Sequence, residues 1–128
     1  MKPHEEWLFK AEHDLASSSY LLSAPDPLFD ISIYHTQQCA EKSLKAYLTF
    51  KEKEIENTHN LKMLVEICIK IDNEFDKLID DCIFLNPYAT LYRYPQGDLM
   101  PSEESVLKAI KTSQKILSFV KRKINPDS

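Results

Sequence analysis

The chain has 128 residues, 43% of them apolar, which is enough to bury the core of a single domain spanning residues 1–128. It holds one glycine and seven prolines, which excludes a P-loop and a G-x-G-x-x-G dinucleotide turn and argues against a hairpin-rich β protein. The net charge of −4 hides an asymmetry: residues 1–104 carry ten Lys/Arg against nineteen Asp/Glu, and residues 105–128 carry six against one.

The prolines at 3, 25, 27, 87, 95, 101 and 126 mark where helices cannot run through. The first segment runs from about Pro3 to Leu22. Trp7, Leu8, Ala11, Leu15, Ser18, Leu21 and Leu22 recur at helical steps, and Glu5 and Glu6 favour its N-terminus. The second, from about Phe29 to Lys53, carries a core stripe of Ile33, Ala40, Leu44, Tyr47 and Leu48, with Lys51–Glu54 as a solvated end. Asn57-Thr58-His59-Asn60 forms a turn cluster able to cap the third helix, which starts near Leu61 and breaks at Asp72-Asn73. A short helix through Phe75, Leu78, Ile79 and Cys82 follows. Residues 86–101 hold three prolines and the only glycine, and form the longest irregular segment. Ser102 reads as the N-cap of a last helix through Val106, Ala109, Ile110, Ser113, Leu117, Val120 and Ile124. The expectation is an all-α bundle of three long helices, one or two shorter ones and a long loop before the last.

On the second helix, Tyr34, Gln38, Glu41, Lys42 and Lys45 fall together beside the core stripe. Periodicity alone favours a solvated flank with Gln38–Lys42 and Glu41–Lys45 pairs at i,i+4; the alternative is a hydrogen-bonding stripe at a groove or dimer seam. Arg93-Tyr94-Pro95 lies in the proline-rich loop of a chain with two arginines against fourteen lysines. Arginine offers a planar fork for phosphate or carboxylate, and Tyr88, Tyr92 and Tyr94 are near enough in sequence to stack a base. The other reading is an Arg93 paired with a carboxylate of the bundle. The C-terminal lysines either complement a helix dipole, the commoner case, or form a basic strip for phosphate or an acidic partner.

His4, His13, His35 and His59 show no H-x-x-x-H or H-E-x-x-H spacing, and the three cysteines share no C-x-x-C, so no metal site is expected. Cys39 lies one turn from His35, but its place beside the core stripe favours burial over reactivity. No run of 18 apolar residues and no signal-like N-terminus occurs, so a cytoplasmic protein without a membrane anchor is expected.

The stretch Tyr34-His35-Thr36-Gln37-Gln38-Cys39-Ala40-Glu41-Lys42-Ser43-Leu44-Lys45-Ala46-Tyr47-Leu48 closely resembles the second helix of HEPN (higher eukaryotes and prokaryotes nucleotide-binding) domains. Trp7, Ala11 and Asp14-Leu15, His59-Asn60-Leu61 and Arg93-Tyr94-Pro95 extend the resemblance over nearly the whole chain in order. The resemblance implies an antiparallel, up-and-down bundle of four main helices with a short extra one. It also implies a homodimer, a minimal nucleotidyltransferase as partner in a toxin–antitoxin-like or accessory pair, and a nucleotide as ligand. One branch of the family cleaves RNA with Arg-x(4–6)-His at the start of the last helix. After Arg93 those positions hold Asp98, Leu99 and Met100, and no histidine follows His59. The expectation is therefore a non-catalytic subunit without a cofactor. Arg93 would contact phosphate or an acidic group, Tyr94 would stack, and Gln38, Lys42 and Lys45 would hydrogen-bond or pair charge. Glu41, His59 and Tyr34 complete the candidate set. The alternatives are a ribonuclease with a relocated His35 or His59, with RNA as substrate, and a helical scaffold without ligand.

Overall fold

In a computed structural model of the chain, residues 1–55, 57–95 and 97–127 are described. They form α1 (Pro3–Ser23), α2 (Phe29–Phe50), α3 (Leu61–Ile71), α4 (Ile79–Leu85) and α5 (Glu103–Ile124). Short 3-10 helices at Asn73–Leu78 and Asn86–Ala89 flank α4, and no strand occurs among the described residues. The architecture is the expected all-α bundle. The second helix stops at Phe50, earlier than its charged tail suggested: Glu52 takes a positive φ of 58°, and Lys53 turns its N–H back to the Leu48 carbonyl.

The ends of the helices follow local chemistry. Asn60 Oδ1 accepts from the Met63 amide at 3.1 Å, and Ser102 Oγ accepts from the Ser105 amide at 3.1 Å. Each bond satisfies one of the amides a helix start leaves unpaired. Asn60→Ala is expected to cost about 1 kcal/mol, measurable as a lower urea midpoint with an unchanged slope. Gly97, with φ of 75°, supplies the left-handed turn in the loop before α5.

The core is one cluster around α2, where Ile33, Ala40, Leu44, Tyr47 and Leu48 meet Leu61, Leu64, Val65, Phe75, Leu78, Val106, Ile116 and Val120. Small residues let the helices approach closely. At the antiparallel α1–α2 contact, Ser18 Oγ donates to the Ser32 carbonyl at 2.8 Å and Ser32 Oγ to the Ser18 carbonyl at 2.7 Å. Between α5 and α2, Ser113 Oγ donates to the Thr36 carbonyl at 3.0 Å. These buried hydroxyls are all satisfied, so they hold the helix register at little desolvation cost. The three thiols are buried: burial pushes Cys39 up to about 11 and Cys82 to about 12, and raises Cys68 as well. Such thiols are inert as nucleophiles near neutral pH.

Candidate functional site

The polar flank of α2 is not solvated. Gln38, Glu41 and Lys45 are 8%, 3% and 7% exposed, and Gln37 is fully buried. Burying charge without partners is costly, and each charged group here has one. Asp14, on α1, sits between Lys42 Nζ at 2.6 Å on one carboxylate oxygen and His35 Nδ1 at 2.8 Å on the other. Glu41 repeats the arrangement, with Lys45 Nζ at 3.0 Å and His59 Nδ1 at 2.8 Å. A carboxylate only accepts, so in each pair Nδ1 carries the hydrogen and donates it.

The expected i,i+4 pairing of Glu41 with Lys45 forms, while that of Gln38 with Lys42 does not. Lys42 turns to Asp14, because a carboxylate makes a stronger, charge-assisted bond than a side-chain amide. Gln38 Nε2 instead donates to Gln37 Oε1 at 2.7 Å, and Gln37 Nε2 to the His59 carbonyl at 2.9 Å. His59, whose side chain is 72% exposed, is thus tied to the middle of α2.

Burial pushes the Asp14 carboxyl up, but the hydrogen bonds from His35 and Lys42 outweigh it and hold it below its ordinary range. A lowered folded-state pKa means the stabilisation is complete above the ordinary aspartate value. It is lost as pH falls through the folded-state value. The stability gap between the wild-type chain and Asp14→Asn is therefore expected to be widest near neutral pH and to narrow below about pH 4. Urea titrations at stepped pH measure it.

Arg93 is exposed, and its Cζ lies 4.4 Å from the centre of the Tyr34 ring. Among the described residues it has no carboxylate partner, and its guanidinium meets the Tyr34 ring instead. The same Tyr34 ring contacts His35 edge-on, with centroids 5.5 Å apart. Tyr88 and Tyr92 stack on each other at 6.1 Å, and Tyr94 is 61% exposed. Of the candidate residues, Tyr34 and Arg93 come together directly. Glu41, Lys45 and His59 form one network with Gln38, and Lys42 joins Asp14 and His35. Trp7 covers this flank, its ring 5.7 Å from Lys45 Nζ.

Asp14 and Gln37 were not among the candidates. The signal was present: Asp14 falls between Ala11 and Ser18 on the buried stripe of α1, and Gln37 between Ile33 and Ala40 on that of α2. A polar residue on a buried stripe requires a partner. No group of His, Cys, Asp and Glu able to hold a metal occurs among the described residues, and no helix there is long and apolar enough to cross a membrane.

Comparison with known proteins decides the family, since a HEPN domain model matches residues 4–123. The chain belongs to the HEPN family. Its fold is similar to the crystal structure of ST0689, an archaeal HEPN homologue, with 27% identity and a TM-score of 0.79 over 98% of this chain and 100% of that one. It is also similar in fold to TT1696 from Thermus thermophilus, with 24% identity and a TM-score of 0.78 over 96% and 99% of the two chains. A search of curated protein sequences finds no match.

Proposed function

We propose that this HEPN domain is a non-catalytic binding subunit that takes a nucleotide through Arg93 and works as a homodimer with a minimal nucleotidyltransferase. The observation that carries the ligand half is the Arg93–Tyr34 stack. The guanidinium lies over the ring, 4.4 Å from its centre, so the cation–π contact positions it while its N–H groups can meet the two oxygens of a phosphate. Tyr94, exposed one residue on, offers a face for a base. Lys42 and Lys45 already neutralise Asp14 and Glu41. In this reading they hold the flank together, and the ligand meets Arg93, Tyr94 and the exposed edge of His59. Lacking glycine-rich loops, the protein binds phosphate with side chains.

Calorimetry with ATP and GTP tests the ligand. If no nucleotide binds at millimolar concentration, the ligand claim fails and the claim of a protein partner stands alone. Light scattering tests the dimer.

A second reading, a ribonuclease with a relocated histidine, has one specific observation behind it. Asp14 orients the His35 ring, and Tyr34 touches both that ring and Arg93. An anchored imidazole and an arginine that meet the same tyrosine ring are groups suited to proton transfer and charge stabilisation at a phosphate. RNA cleavage by purified protein that disappears in both His35→Ala and Arg93→Ala would establish it.

A further inference from the structure

The basic C-terminal segment has a place of its own in the fold. Lys115, Phe119 and Arg122 follow at four- and three-residue steps and so form a line along α5. With Lys123 and Pro126 they make one wall of an open groove of about 580 Å³. Glu74, Lys77 and Leu78 of the 3-10 helix make the other wall. This groove lies by the last turns of α2, since Phe75 packs between Phe119 at 4.9 Å and Tyr47 at 4.4 Å. Arg93 lies by the first turns of α2, so the groove is separate from the nucleotide site.

Most of the groove's cations are spoken for. Lys123 pairs with Asp72 at 2.8 Å and Glu74 at 2.9 Å, Lys115 pairs with Asp81 at 2.8 Å, and Lys77 stands 3.5 Å from Glu74. Further back, Lys121 pairs with Glu12 of α1. The basic segment is thus mainly an internal clamp, joining α5 to carboxylates of the other elements. Among the cations that line the groove, Arg122 is the exception. It is exposed, lines the groove and has no carboxylate partner among the described residues.

We propose that the groove binds an acidic, apolar peptide segment of a partner protein, with a carboxylate on Arg122 and an apolar side chain over Phe119 and Pro126. The planar guanidinium matches a carboxylate with two parallel hydrogen bonds. The apolar floor rewards a side chain that leaves water. A nucleic acid fits less well. It needs a continuous run of free cations along its backbone, whereas among the described residues of the groove one cation is free and the others are held by Asp72, Glu74 and Asp81.

The test uses the full chain, isotope-labelled, and amide chemical shifts. The probes are a blocked acetyl-Glu-Leu-Glu-Leu-amide peptide, the same peptide with lysine for glutamate, and an oligouridylate. The acidic peptide is expected to shift the amides of Lys77, Phe119 and Arg122 saturably below about 10 mM. Arg122→Glu is expected to weaken it by about tenfold or more, and Arg93→Ala to leave it unchanged. Arg122 is exposed, so its variant folds, which circular dichroism checks; Lys77→Glu is a second variant expected to weaken binding in the same sense. The proposal is overturned by no shift with the acidic peptide, by an equal response to the lysine peptide, by binding indifferent to Arg122→Glu, or by oligouridylate shifting these amides in place of the peptide.

Discussion

Replacing Arg93 with alanine lowers nucleotide affinity by at least about tenfold and leaves the unfolding midpoint unchanged, because hydrogen bonds to charged groups contribute about 1.5–3 kcal/mol. Arg93 is exposed, and its contact within the fold is the face of Tyr34. Its removal therefore takes away ligand contacts without opening the core. Arg93→Lys keeps the charge and loses the planar fork, so it recovers only part of the affinity. Tyr34→Leu removes the surface on which the guanidinium rests. Affinity then falls although the cation remains, which separates positioning from charge. Calorimetry on the three variants, with thermal melts alongside, reads all of these. Nucleotide binding indifferent to Arg93→Ala would move the ligand elsewhere on the protein.

The largest expected loss of stability comes from the second ion pair of α2. Glu41→Ala leaves Lys45 buried with no carboxylate and removes the anchor of His59. Breaking one side of a buried pair costs about 3–5 kcal/mol, a large share of the margin by which a domain of this size is stable. Replacing both partners, as in Glu41→Gln with Lys45→Met, takes away the unpaired charge together with the pair and is expected to cost much less than Glu41→Ala. Urea unfolding of the single and double variants measures the difference. An equal loss in both would mean that the pair matters for shape and not for charge. Glu41→Ala also removes one of the two bonds that tie His59 to α2, leaving that from Gln37 to the His59 carbonyl, so amide exchange around Asn60 is expected to quicken.

The two candidate regions are legible in the sequence to different degrees. Arg93 stands out because it is one of two arginines and sits in the proline-rich loop; that it rests on Tyr34, 59 positions earlier, does not show there. The flank of α2 is visible as a set of residues on one helix face, yet its burial is not. A helix wheel shows which residues share a side, but whether that side meets solvent depends on where α1 and the 51–60 link lie. Trp7 and Asp14 of α1 and His59 of the link cover this side. The C-terminal lysines are open to a dipole role or a binding role. The fold gives most of them a third one, as clamps to Asp72, Glu74, Asp81 and Glu12.

By itself the sequence determined the helices, most of their breaks, and the caps of α3 and α5. The repeat of apolar residues every three or four positions, the prolines that stop it, and side chains such as Ser102 that satisfy the first free amides all act within one or two turns. The i,i+4 pair of Glu41 and Lys45 belongs to the same local order. Only the tertiary structure decided which carboxylate each cation and histidine would meet. His35 and Lys42 reach an aspartate 21 and 28 residues away, and His59 a glutamate 18 residues back. Such partners are set by how the helices cross and by the serines that let them come close. A local pair then yields wherever a distant, better acceptor is brought within reach, as Lys42 left Gln38 for Asp14.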